Sequence, residues 1–195
     1  MKLFFKKFDK SSSGFTLVET LVAVSIFTVS TLGLMVFLGK SMADTGYAKK
    51  KTTAAYLAQE GIEYIRNLRD THILYSSTSS DAGWNSFVAK ILSGSCQNSN
   101  GCYFNVDNIN YSDSSQPIID MTLTACGSSC TPLLYNSATG KYGYTSGANS
   151  GFIRKIYIVQ TSADEMKVSS TVYWTQGSGS YNMTFSQNLL KWVEY

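Results

Sequence analysis

Glu19 is the residue whose position most needs a chemical reason. It is the last charge before twenty uncharged residues, Thr20 to Gly39. A carboxylate at the head of an apolar helix is costly in hydrocarbon unless a positive group pairs with it. Few other residues could do chemistry. Cys96, Cys102, Cys126 and Cys130 lie mid-chain, spaced C-x5-C and C-x3-C. An even number fits two disulfides in an oxidising compartment. Local pairing, Cys96 with Cys102 and Cys126 with Cys130, is the preferred arrangement, although three connectivities are open. A four-cysteine zinc site is the second reading, against which stand the missing C-x2-C knuckle and the compartment. His72, the single histidine, has no Cys or Ser motif beside it and reads as a surface residue. No nucleophile elbow, phosphate loop, HExxH or paired-carboxylate pattern is present. The chain reads as a non-enzyme, with no catalytic residue, metal or cofactor expected.

The net charge of +3 would suggest nucleic acid if it were spread over a surface. Residues 1–14 hold all of it, as Lys2, Lys6, Lys7 and Lys10 against Asp9, leaving 12 basic and 12 acidic residues beyond. No nucleic-acid partner is implied. With 44% hydrophobic and 15% charged residues, the chain has the material for a folded core and is not a disordered tail.

At about 1.5 Å per residue the run Thr20 to Gly39 spans roughly 30 Å, the hydrocarbon thickness of a bilayer. A secretory signal has a shorter apolar stretch followed by a small-residue cleavage site; here Lys40, Asp44 and Lys49 follow. Four lysines on each side leave the positive-inside rule tied, and the cysteines favour a C-terminal part outside the cytoplasm.

The junction SSSGFTLVETL, between basic leader and apolar run, resembles the prepilin signature of type IV pilins and type II secretion pseudopilins. The close match covers about residues 6–40, with weaker similarity through 57–70. The resemblance implies that a membrane peptidase cuts between Gly14 and Phe15, that Phe15 becomes the N-methylated terminus, and that Glu19 acts in assembly. The cut would create an ammonium at Phe15, four residues before Glu19. Pairing of that ammonium with Glu19, in one chain or between neighbours, would penalise mispaired registers. The stretch Thr16-Leu17-Val18-Glu19 also fits a capping box, with Thr16 as N-cap and Glu19 at N3; the two roles are compatible. Two departures from many pilins stand out. The helix lacks an internal proline, so bending would use Gly33, Gly39 or Ser30-Thr31, and no cysteine follows Cys130.

These residues need a scaffold. From Thr53 to Asp70, Ala54, Leu57, Ala58, Gly61, Ile62, Ile65 and Leu68 recur on one helical face. Residues 72–115 read as a polar connecting region with one short helix around Trp84 to Leu92. Three alternating strands follow at 152–160, 166–174 and 181–192, joined by short turns as an antiparallel meander, and Ile118–Thr124 is a candidate fourth. The expected fold is α+β and pilin-like, with a long N-terminal helix and a sheet of about three to four strands. The expected organisation is a cleaved leader (1–14), a transmembrane and filament-core helix (15–39), its amphipathic continuation (40–70) and a globular head (71–195). Tyr135, Tyr142, Tyr144, Tyr157, Tyr173 and Tyr181 read as strand packing and surface, with an adhesive patch for glycan or DNA as the sharper alternative, DNA being the weaker of the two for want of a basic stripe nearby.

The sequence therefore points to a minor pilin or pseudopilin, held in the inner membrane before joining an extracytoplasmic filament. The resemblance implies as partners the prepilin peptidase, other pilin subunits, membrane lipid before assembly, and indirectly an assembly platform with its ATPase. The alternative is a single-pass anchored binding module, adhesin-like, that never polymerises.

Overall fold

A computed structural model describes residues 14–105, 118 and 121–191. The leader residues 1–13 and part of the polar segment before Thr122 lie outside the described residues. Packing divides the chain after Gly46 into two units, Met1–Gly46 and Tyr47–Tyr195. The boundary falls inside the first helix, α1, which runs Leu17–Leu74.

In the first unit α1 is apolar on all sides, and its large side chains, Leu17 to Met42, are exposed. Its hydroxyl residues do not break it. Thr20, Ser25, Thr28, Ser30 and Thr31 each donate to a carbonyl one turn back, at 2.7–3.0 Å. Returned in this way, those donors are satisfied inside the helix, as a lipid environment requires.

In the second unit α1 buries the face that the periodicity predicts, Ala54, Leu57, Ala58, Gly61, Ile62, Ile65 and Leu68, and extends it through Arg69, His72 and Ile73. A second helix, α2, covers Ser80–Ser93; Ser79 caps it by accepting from the Ala82 amide at 3.2 Å. His72 is therefore 8% exposed, against the expectation of a surface site. Its ring lies 6.4 Å from that of Phe87, and Gly83 of α2 packs on its backbone.

Among the described residues the sheet has seven strands: β1 Cys102–Asn105, β2 Thr122–Ala125, β3 Pro132–Asn136, β4 Lys141–Gly143, β5 Ala148–Ser162, β6 Glu165–Gln176 and β7 Gly179–Leu190. β5, β6 and β7 form the expected antiparallel meander, now with two-residue turns. The count exceeds three to four because β1, β3 and β4 are three to five residues long and sit in Ser-, Asn- and Gly-rich sequence. Their stability comes from pairing with β5 and with each other rather than from propensity. β5 is also longer than expected. It enters through Gly151 at φ +76 and an irregular register opposite Pro132 and Leu134, features that mask a strand in sequence.

The core lies between α1, α2 and the inner sheet face. A larger cluster joins Ile65, Leu68, Trp84, Phe87 and Ile91 to Phe104, Ile156, Ile158 and Met166. A smaller one joins Ala54, Leu57 and Ala58 to Leu133, Phe152, Val172 and Trp174. Gly61 marks the closest approach: a Cβ there would overlap Ser170 Oγ and lie 2.9 Å from Ile156 Cδ1. Arg154, also on the inner face of β5, is 2% exposed and ties the sheet to α1. Its Nη1 reaches Glu60 Oε2 at 2.8 Å and Leu57 O at 3.3 Å, and its guanidinium lies 4.5 Å from the Phe104 ring centroid.

Candidate functional site

The site begins where the chain enters α1. Residues Gly14, Phe15 and Thr16 precede the helix and are exposed. An exposed, non-helical segment is the form in which a protease can take a peptide bond into its active site. Thr16 is the N-cap: its carbonyl accepts from the Thr20 amide at 3.2 Å, and its Oγ1 accepts from the Glu19 amide at 3.3 Å. Glu19 answers it, with Oε2 accepting from Thr16 N at 3.3 Å and from Thr16 Oγ1 at 3.2 Å. This reciprocal arrangement is a capping box, and it sets the carboxylate against the positive end of the helix dipole. The helix starts at Leu17, so in the uncut chain Phe15 precedes the turn that carries Glu19.

Past Glu19 the helix offers no polar side chain that is not bonded to its own backbone until Lys40. An 18-residue window of α1 is apolar enough to cross a membrane, and none of it is buried in the molecule. An exposed apolar surface of this extent is of the kind that lipid or other helices can cover.

The structure brings Cys96 to Cys102 and Cys126 to Cys130 as two disulfides, with Cα–Cα distances of 4.7 and 4.5 Å. Both pairs join short β segments to the head. Cys102 opens β1 and Cys126 follows β2, whose backbones are also linked by Cys126 N donating to Gly101 O at 2.9 Å. Among the described residues no group of His, Cys, Asp or Glu could hold a metal ion. Burial, with Lys90 nearby, pushes the pKa of His72 below its ordinary 6.5, and its buried Nε2 has no partner among the described residues. It is far from any nucleophile motif and belongs to the core.

Of the tyrosines singled out in sequence, Tyr135 and Tyr142 face each other across the β3–β4 hairpin, ring centroids 5.0 Å apart, while Tyr144 lies against Tyr103 with the rings tilted by 45°. Tyr181 instead packs on Trp174 and Tyr47. Sequence reasoning passes over Tyr56 and Tyr64, which line the same cleft as Tyr135 and Tyr142. Their spacing, four residues either side of Glu60, was the signal: three residues on one helical stripe beside the buried face.

Residues 9–35 match the prokaryotic N-terminal methylation motif. This is the prepilin-type signature of type IV pilins and pseudopilins, and it covers residues 9–35 of the 195-residue chain. The matched region contains the Gly14–Phe15 junction, the capping box and the first part of the exposed apolar helix. No curated protein and no solved structure is matched by the chain.

Proposed function

We propose that this protein is a minor pilin or pseudopilin: a structural subunit cut before Phe15, methylated there, and assembled into an extracytoplasmic filament through α1. The observation that carries the reading is a coincidence of position. The methylation motif ends in an apolar helix of which none of an 18-residue window is covered by the rest of the chain. A lone anchor needs only enough apolar length; a prepilin signature placed at its head adds a reason to free that helix's N-terminus.

The proposed order of events follows from the chain's own chemistry. Before cleavage the apolar segment sits in the inner membrane with the lysine-rich leader on one side. Cleavage removes the entire net positive charge and leaves an ammonium on Phe15. In the filament that ammonium meets the Glu19 carboxylate of a neighbour, and the exposed stripe from Leu17 to Met42 packs against other subunits. The absence of a disulfide-bonded C-terminal segment, seen in many abundant pilins, supports a minor role.

N-terminal mass analysis of the protein recovered from the cell envelope tests the processing. A chain beginning at N-methylated Phe15 is expected, and one beginning at Met1 would overturn the proposal. Isolated filaments should also contain the protein; its confinement to the membrane fraction in cells that make filaments would favour the anchored module instead.

A further inference from the structure

We propose that the cleft between α1 and the β3–β4 hairpin binds a neutral oligosaccharide. It has a volume of about 960 Å³, at the upper end of the roughly 300–1,000 Å³ typical of small-molecule sites. One wall is the helical stripe Tyr56, Glu60 and Tyr64; the other is the hairpin, with Tyr135 and Tyr142. Tyr56 is 68% and Tyr135 39% exposed, so flat ring faces are presented to solvent rather than spent in the core.

The chemistry of the lining selects the ligand. Leu57 is its sole aliphatic side chain, and at 4% exposed it offers no pocket for an apolar peptide anchor. Among the described residues that line it, Glu60 and Lys141 are the only charged ones, one of each sign, and they make no basic track for a nucleic-acid backbone. What remains is tyrosine rings, which take the C–H faces of sugar rings, together with hydroxyls that exchange hydrogen bonds with sugar hydroxyls. Glu60 is held on one oxygen by Arg154 at 2.8 Å, and its second oxygen has no partner among the described residues. Burial and the neighbouring Tyr135 raise the pKa of Tyr142 above its ordinary value, against a hydrogen bond with Thr53 that lowers it.

The walls are fixed in advance, which lowers the ordering cost of binding. Asn136 braces the hairpin from inside. Its Oδ1 accepts from Ala138 N at 3.0 Å and Thr139 N at 3.3 Å, and its Nδ2 donates to Ser146 Oγ at 3.2 Å. Gly147, at φ +126, lets the returning chain pass 2.5 Å from where a Cβ would meet Tyr135 O; any side chain there would push the hairpin out of place.

The site lies wholly in the second unit and does not depend on the filament reading, so the two can fail separately. The test uses the full chain in a detergent without a sugar headgroup. The probes are neutral di- to tetrasaccharides of glucose, galactose and N-acetylglucosamine, with sialylated counterparts and an oligonucleotide for comparison, read by saturation-transfer NMR and calorimetry. At least one neutral oligosaccharide should bind saturably. Tyr56→Ala and Tyr135→Ala should each weaken it by about two- to tenfold, Tyr56→Ala without moving the thermal midpoint and Tyr135→Ala, which also loses its ring contact with Tyr142, with a fall of no more than about 4 °C. The proposal is overturned if no neutral probe binds at millimolar concentration, if binding survives both substitutions unchanged, or if the oligonucleotide or the sialylated probes bind more tightly than the neutral ones.

Discussion

Gly61 gives the sharpest test of how α1 meets the sheet. In an isolated helix, Gly61→Ala would stabilise by about 1 kcal/mol, because glycine loses more backbone freedom and buries nothing. Here the new methyl would overlap Ser170 Oγ and approach Ile156 Cδ1 at 2.9 Å and Arg154 Cδ at 3.2 Å. Overpacking of this kind costs about 1–3 kcal/mol, so the substitution should be destabilising by about 1 kcal/mol net. Ser170→Ala should do the reverse. Its Oγ is buried without a partner among the described residues, and removing an unsatisfied buried hydroxyl should gain about 1 kcal/mol. The double variant places one methyl where the hydroxyl stood, and the remaining neighbours are the terminal methyl of Ile156 at 2.9 Å and Arg154 Cδ at 3.2 Å. It should be about 1–2 kcal/mol more stable than the parent, where simple addition of the two single effects gives about zero, a coupling of about 1–2 kcal/mol between sites that are distant in sequence. Each kcal/mol corresponds to roughly 2–4 °C in midpoint for a domain of this size. Urea and thermal unfolding of the full chain in mild detergent can follow the effect through Trp84 and Trp174, both buried. If Gly61→Ala alone raises the midpoint, or if the two substitutions simply add, the close approach of α1 to β5 and β6 is wrong.

The lowered pKa of His72 gives a pH dependence. As pH falls below about 6.5 the unfolded chain takes up the proton first, so stability is complete above that value and declines as pH drops through the folded-state pKa; a His72→Leu variant should show a flatter stability profile between pH 7 and 5, a range set by the ordinary histidine pKa. The disulfides close short loops, with sequence separations of 6 and 4, for which the chain-entropy argument gives about 2 kcal/mol each. Replacing either pair with alanines should lower the urea midpoint of the chain accordingly, and an unchanged midpoint would mean that the short strands β1 and β2 hold without them.

The parts of the fold that sequence makes legible are those where one periodicity runs uninterrupted. The stripe Ala54 to Leu68 and the alternation Phe152, Arg154, Ile156, Ile158 each place every residue on its buried side. Even Arg154 is placed correctly, although its charge argues for solvent; its partner Glu60 lies 94 positions away and could not be named from spacing. β1, β3 and β4 were hidden because three to five residues carry too little pattern, and their pairing is long-range. His72 was misread for the same reason: what buries it is α2, whose packing on α1 depends on Gly83 rather than on anything beside the histidine. The cleft fared likewise, since half of its tyrosines come from a helix and half from a hairpin more than seventy residues later.

Glu19 unites the two readings of the N-terminus, and one substitution separates them. In the uncut chain both of its hydrogen bonds use Oε2, and among the described residues Oε1 carries none. A carboxylate has acceptor sites on both oxygens, so the same side chain can close its own helix and still present an oxygen to a neighbour's ammonium. The cap survives cleavage, because Thr16 and its amide lie beyond the Gly14–Phe15 bond. Glu19→Gln keeps a capping acceptor, since glutamine serves at N3 of the box as glutamate does, but it carries no charge. Glu19→Ala removes both. If the cap alone matters, the Gln variant should enter filaments like the parent and only the Ala variant should fail. If the proposed ammonium pairing sets register, both should fail to a similar degree while remaining processed and membrane-bound, because neither the cut nor the apolar helix needs the charge. Quantifying each variant in sheared filaments against the membrane fraction distinguishes these outcomes. Normal incorporation of Glu19→Gln would sink the charge-pairing mechanism and leave Glu19 as a helix cap.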